Sequence, residues 1–156
     1  MYFVEYNLNR IYSILDEEDL ENCKKNAKIR NESESSLYGK QAFSNITGLF
    51  INKNNDCDFY SNLKSINVKS FSFASKKYFL NKKEIINDVD YYLLSIILQK
   101  NKINVIVVLL GAILTKNILN KKLIDNKYYI EISELISPID FCYDYVKGDK
   151  KTTILI

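Results

Sequence analysis

The stretch Ile103-Asn104-Val105-Ile106-Val107-Val108-Leu109-Leu110-Gly111-Ala112-Ile113-Leu114, with Asn104 its only polar side chain, constrains the fold of this chain more than any other segment. A membrane-spanning helix needs about 20 apolar residues, and this run falls well short. Joining it to Tyr91–Leu98 would place Gln99, Lys100, Asn101 and Lys102 in hydrocarbon, at about 2.5–3.5 kcal/mol for each lysine near the centre. The run therefore belongs inside protein. Its β-branched residues and lack of alternation predict a central strand near 103–110, buried on both faces.

A strand buried on both faces needs a layer on each side of its sheet, and the remaining sequence supplies candidates. Tyr2, Val4 and Tyr6 alternate with Phe3 and Glu5, predicting a first strand over 2–8. Asp16-Glu17-Glu18-Asp19 precedes Lys24, Lys25, Lys28 and Arg30, so a helix over 16–29 has acids at its positive end and bases at its negative end. Residues 31–36 are wholly polar and read as an exposed loop. Ile46, Leu49, Phe50 and Ile51 predict a short strand, and two more follow at 66–74 and 77–80, with Phe71 and Phe73 on one face. Ile85, Ile86, Val89, Leu93, Ile96 and Ile97 recur at helical steps and predict a helix over 83–99.

A further helix is expected from about Gly111, carrying Ile113, Leu114, Ile118, Leu119, Leu123 and Ile124. It would make a parallel crossover to a strand at Tyr128, Ile130 and Ile132. Beyond Pro138, strands are expected at 140–146 and 152–156. The expected class is α/β or α+β: one layered domain over 1–156, a mixed β-sheet covered by about three helices, with strands outnumbering helices. The length of 156 residues and the 47% hydrophobic content suit one such domain.

The chain contains no histidine. Ser-His-Asp hydrolysis, His-ligated zinc and histidine general acid–base chemistry are thereby excluded unless a partner supplies the imidazole. The three cysteines, Cys23, Cys57 and Cys142, lie far apart and form no CxxC pair, so they read as free thiols filling space. The N-terminus has neither a basic nor an apolar signal region, and the expected compartment is a reducing cytoplasm. The sequons at Asn31 and Asn45 carry no meaning there. Lysine outnumbers arginine twenty to two, which points to an AT-rich gene rather than selection for phosphate recognition, and the net charge is only +3.

Motif matches fail at the residues that matter. Asn52-Lys53-Asn54-Asn55-Asp56-Cys57-Asp58 sets oxygens at alternate positions like a calcium loop, but Cys57 replaces the turn glycine and Leu63 the bidentate glutamate, so a polar hairpin tip is expected. Gly39-Lys40 lacks the rest of a phosphate loop, and no GxGxxG occurs among the four glycines. No cofactor and no metal are expected.

Two surfaces remain as candidates. Asp16, Glu17, Glu18, Asp19 and Glu21, with Tyr38, form an acidic contact set for a basic protein partner. Twelve tyrosines without tryptophan also favour recognition, although their codons are AT-rich. Lys76, Lys77, Lys82 and Lys83 interleave with Tyr78 and Phe79 and, joined by Lys121 and Lys122, suit a nucleic-acid backbone. The first expectation is a small cytoplasmic protein-binding inhibitor, similar in action to an immunity protein or antitoxin, that occludes a toxin or other macromolecule. The alternatives are an RNA- or DNA-binding protein using the lysine surface and, third, a histidine-free enzyme.

Overall fold

The computed structural model describes residues 10–54, 56–146 and 152–155, the last four for their backbone. The chain runs β1 (Arg10–Leu15), α1 (Glu17–Arg30), α2 (Ser36–Thr47), β2 (Phe59–Ser61), β3 (Lys64–Phe71), β4 (Lys77–Asn81), β5 (Tyr91–Lys100), β6 (Val105–Leu114), α3 (Thr115–Leu119), β7 (Lys127–Glu131), α4 (Pro138–Tyr143) and β8 (Thr152–Leu155). Six strands form one sheet in the order β2-β3-β5-β6-β1-β8, and β4 pairs with β7 in a separate two-stranded sheet. The large sheet is mixed: β3 and β5 are parallel, and its other pairs are antiparallel.

Two apolar layers flank the large sheet. On one face, Cys23 and Ala27 of α1, Leu37, Ala42 and Phe43 of α2 and Phe141 of α4 pack against Ile11, Val68, Leu93 and Val107. On the other, Tyr78 and Leu80 of β4, Tyr128 and Ile130 of β7 and Ile118 of α3 pack against Tyr92, Leu94, Ile96 and Val108. The fold is thus a layer of three helices, a mixed sheet, and a layer made of the small sheet with α3. Strand β6 is sandwiched between both layers, as its unbroken apolar sequence requires.

A bulge keeps β6 in both cores. Leu94 pairs with Gly111 and Ser95 with Leu109, so Leu110 is skipped and the strand changes phase. Residues 105, 107 and 109 face the helices before the bulge, and Ala112 does so after it. Gly111 takes φ +140°, and a β-carbon there would overlap the carbonyl of Ile136, whose own strand-like bridge reaches Ala112. The carbonyl of Leu110 accepts from Arg10 Nη1 at 3.2 Å, and burial pushes the pKa of that guanidinium down against the opposing pull of Tyr12 and Tyr78.

Several expectations hold. Helix α1 matches the predicted charge pattern; Glu17, Glu18 and Asp19 occupy its first turn, Lys28 and Arg30 its last, and Asn31 closes it in the left-handed region. The strands expected at 66–74, 77–80 and 152–156 correspond to β3, β4 and β8. The strand expected at 2–8 lies outside the described residues; the first described strand is β1.

Other expectations are corrected. The helix expected over 83–99 is a single 3-10 turn at Lys82–Glu84 followed by β5. Because β5 is apolar toward both layers, helical spacing arises there without a helix. The helix expected from Gly111 is the second half of β6, and only Thr115–Leu119 is helical. No parallel crossover results, since β7 pairs antiparallel with β4 outside the large sheet. The strand expected from Ile46 is instead the end of α2, capped by Gly48 at φ 80°. Pro138 does not precede a strand at 140–146. It occupies the first turn of α4, where its missing N–H and fixed φ suit a helix start.

Candidate nucleic-acid interface

The small sheet gives the most specific arrangement of exposed chemistry. Along β4, Tyr78 and Leu80 are buried while Lys77, Phe79 and Asn81 face solvent; along β7, Tyr128 and Ile130 are buried and Lys127 and Tyr129 stand on the outer side. This is the period-two pattern of strands with one covered face. The antiparallel register sets Phe79 opposite Tyr129, Lys77 opposite Glu131 and Asn81 opposite Lys127. The two rings are tilted by 52° to each other with centroids 5.9 Å apart, and Phe79 keeps 37% of its surface exposed. Lys127 Nζ stands 4.4 Å from the Phe79 centroid and Lys77 Nζ 5.2 Å from that of Tyr129, so each ring carries an ammonium on its diagonal.

Further lysines surround this pair. Lys82 and Lys83 project from the 3-10 turn that follows β4, and with Asn81, Glu84 and Asn126 they line a concavity of about 640 Å³. Its walls are held by backbone: Lys82 N donates to Asn126 O at 2.9 Å, and Glu84 Oε1 accepts from Asn81 N at 3.1 Å. The turn Asp125-Asn126, with φ of 52° and 62°, brings the chain into β7 and uses the residue types that best tolerate the left-handed region. Lys76 and Lys122 are exposed, while Lys121 pairs with Glu134. Segments 76–84 and 116–134 hold eight lysines against four carboxylates, a larger excess than the whole chain's net +3. Of the sequence candidates, Lys77 shares the outer face with exposed Phe79 and half-buried Tyr129, and Lys76, Lys82 and Lys83 are exposed at the two ends of β4. Phe79 was visible from the sequence, whereas Tyr129 entered only through strand pairing.

The acidic set is divided by the fold. Asp16 and Asp19 form a capping box at the start of α1: Asp19 N donates to Asp16 Oδ1 at 2.9 Å and Asp16 N to Asp19 Oδ2 at 3.0 Å. Asp19 is 2% exposed, and so is Tyr38, which packs in the core with Lys100 Nζ 5.3 Å from its ring centroid. Glu17, Glu18 and Glu21 remain exposed. Glu17 and Glu21 meet an edge of Tyr38 in an open groove of about 630 Å³, which also takes Glu34 and the bases Lys24, Lys100 and Lys102. The groove therefore carries both signs of charge.

A buried ionic cluster escaped the sequence reading. Arg30 Nη2 reaches Asp58 Oδ1 at 2.5 Å, and its Nη1 donates to the carbonyls of Asn52 and Asn54, the latter at 2.9 Å. Two backbone carbonyls and the Asp58 carboxylate of 52–58 thus converge on the Arg30 guanidinium, whereas the Asn54 side-chain oxygen accepts from Asp56 N instead. Lys40 Nζ lies 3.4 Å from Glu32 and 3.5 Å from Asp58, and also donates to Ser36 O and Val68 O. Burial raises the Glu32 pKa, but the Lys40 charge and the hydrogen bond and charge of Arg30 outweigh it and hold the carboxyl below the usual range. The cluster ties α1, α2, the 52–58 loop and β3 together with its charges matched, the arrangement that buried ions require. Among the described residues, no group of three or more Cys, Asp or Glu side chains is placed to hold a metal ion.

The cysteines are free; Cys23 and Cys142 are buried, and Cys57 is half-buried. No helix among the described residues is long and apolar enough to cross a membrane. Comparison of the chain with protein-family models, curated proteins and solved structures gives no match.

Proposed function

We propose that this chain is a nucleic-acid-binding protein that works through the outer face of the β4/β7 sheet. The observation that carries this reading is the cross-strand pair Phe79 and Tyr129, flanked diagonally by Lys77 and Lys127 within two lysine-rich segments. Aromatic faces interleaved with ammonium groups offer a strand both stacking and charge neutralisation. A lysine excess over the whole chain fits an AT-rich gene, but codon usage does not account for its concentration beside Phe79 and Tyr129. Three unpaired thiols suit a reducing cytoplasm as the place of action.

The test is the salt dependence of binding to a mixed-sequence oligonucleotide. Affinity should fall steeply between 50 and 200 mM salt, by about 0.7–0.9 log units per log unit of salt for each phosphate neutralised. Charge reversal of Lys77, Lys82 and Lys83 should weaken binding and flatten that slope. Affinity that is insensitive to salt overturns the reading.

The groove beside α1 favours a second reading: an inhibitor-like protein, acting in the manner of an immunity protein or antitoxin, that occludes a partner with a basic surface. Glu17, Glu21 and Glu34 would supply the attraction there. Charge reversal of Glu17 and Glu21 that leaves partner capture unchanged would remove this groove as the contact.

A further inference from the structure

We infer that the ligand of the β4/β7 face is a single strand with unpaired bases, held by stacking on Phe79 and Tyr129, and that the Lys82–Lys83 concavity receives a backbone phosphate at one end. This rests on the nucleic-acid reading and makes it specific as to strandedness and to the residues that meet the bases.

Three observations carry it. The first is ring exposure: in a duplex the base faces are stacked inside, so a protein ring on the surface meets sugar and phosphate, whereas an unstacked base can lie flat on it. The second is orientation. The ring planes meet at 52° with centroids 5.9 Å apart, so bases lying flat on the two rings cannot stay parallel and stacked on one another, and only a single strand lets successive bases splay in this way. The third is the placement of charge. Lys127 Nζ lies over the Phe79 ring at 4.4 Å and Lys77 Nζ over the Tyr129 ring at 5.2 Å, so an ammonium on a long, flexible stem is within reach of the phosphate of any base that takes its place on the ring.

The end of β4 then delivers the strand to the concavity. Asn81 is the last residue of β4, and Lys82 and Lys83 follow it directly, with Asn126 opposite. The two ammonium groups and the Asn126 amide there offer donors to phosphate oxygens. Glu84 does not oppose them freely, because its carboxylate is engaged by Asn81 and by Lys69 at 3.3 Å. In the free protein the lysines shield the rings through exposed cation–π contacts. These are weaker than a base stack, so an incoming base can displace them while the ammonium groups swing to phosphate.

The experiment is fluorescence anisotropy of the full chain with labelled dodecamers of deoxythymidine, of uridine, and of a mixed-sequence duplex, at low salt. Either single strand should bind at least tenfold tighter than the duplex, and the ratio of the two identifies RNA or DNA as the source. Phe79→Ala and Tyr129→Ala should each weaken single-strand binding by about 5- to 150-fold, the range of a lost base stack. Phe79→Leu and Tyr129→Leu, which keep an apolar side chain on the strand, should lose affinity too while melting as the parent does. Duplex binding equal to single-strand binding, or leucine variants that bind normally, overturns the stacking assignment yet leaves the nucleic-acid reading standing. If none of the three oligonucleotides binds, both fall.

Discussion

The backbone amide of Gly39 donates to the hydroxyl of Ser70 across 3.1 Å, so α2 lies on β3 with only this short serine side chain between them at that point. Beneath the helix, Ser70 and Ser95 hydroxyls meet at 3.1 Å, and Ser95 also donates to Lys69 O. A β-carbon on Gly39 would overlap both hydroxyls and come within 3.1 Å of a Val68 methyl. The same contact positions Lys40, the next residue, over Val68 and Asp58.

Gly39→Ala therefore sets two effects against each other. Helix propensity favours alanine by about 1 kcal/mol, while forced overpacking costs about 1–3 kcal/mol. Because Ser70 and Ser95 sit on paired β-strands and the overlap involves both, packing should win, and the urea midpoint should fall. In a double-mutant cycle, Ser70→Ala should recover part of the loss, giving a coupling of about 0.5 kcal/mol or more. A stabilised Gly39→Ala variant would show that the helix can lift from the sheet.

Acid should weaken the fold through Glu32. Its carboxyl is held below its ordinary value of 4.5 in the folded state, so as pH falls the unfolded chain takes up this proton first. The stabilisation is complete above the ordinary value and is lost as pH drops through the depressed one. Urea midpoints measured from pH 6 to pH 3 should fall, and Glu32→Gln should lower stability at pH 6 while making that acid limb shallower. An unchanged acid limb in Glu32→Gln would assign the loss to other carboxylates.

The three thiols should separate by reactivity. Burial pushes Cys142 up to about 12, and burial together with the charges of Asp19 and Glu34 does the same for Cys23. Cys57, raised first by its partial burial, is half-buried and donates to Phe59 O at 3.3 Å. A disulfide-exchange reagent at pH 8 should modify Cys57 first, and Cys23 and Cys142 only at the rate of unfolding. Fast modification of all three in the native protein would contradict the burial of the pair.

Features set by neighbouring residues were legible in the sequence. The charge order across α1 and the alternation of β7 involve residues a few positions apart, whereas Tyr78, Phe79 and Leu80 are apolar in succession, so the outer placement of Phe79 shows only in the structure. β5 resembles a helix in sequence for a definite reason: Tyr91–Leu98 is covered by helices on one face and by the small sheet on the other, and its one serine, Ser95, is buried, so no exposed polar residue marks its period. The interface was half legible. Lysines next to Phe79 are visible in the sequence, but Tyr129 lies fifty residues away and joins them only through the register of β4 with β7.

By itself, then, the sequence determined that a buried central strand exists and that α1 begins with acids and ends with bases. Tertiary structure alone decided that β4 takes β7 as its partner, that Arg30 is the cation enclosed by 52–58, and that α2 settles at Gly39. The physical reason is one of range. Periodicity and capping act within a few residues, whereas strand partners, charge partners and packing depth are chosen among distant segments by which combination buries apolar surface and leaves no buried charge unmatched.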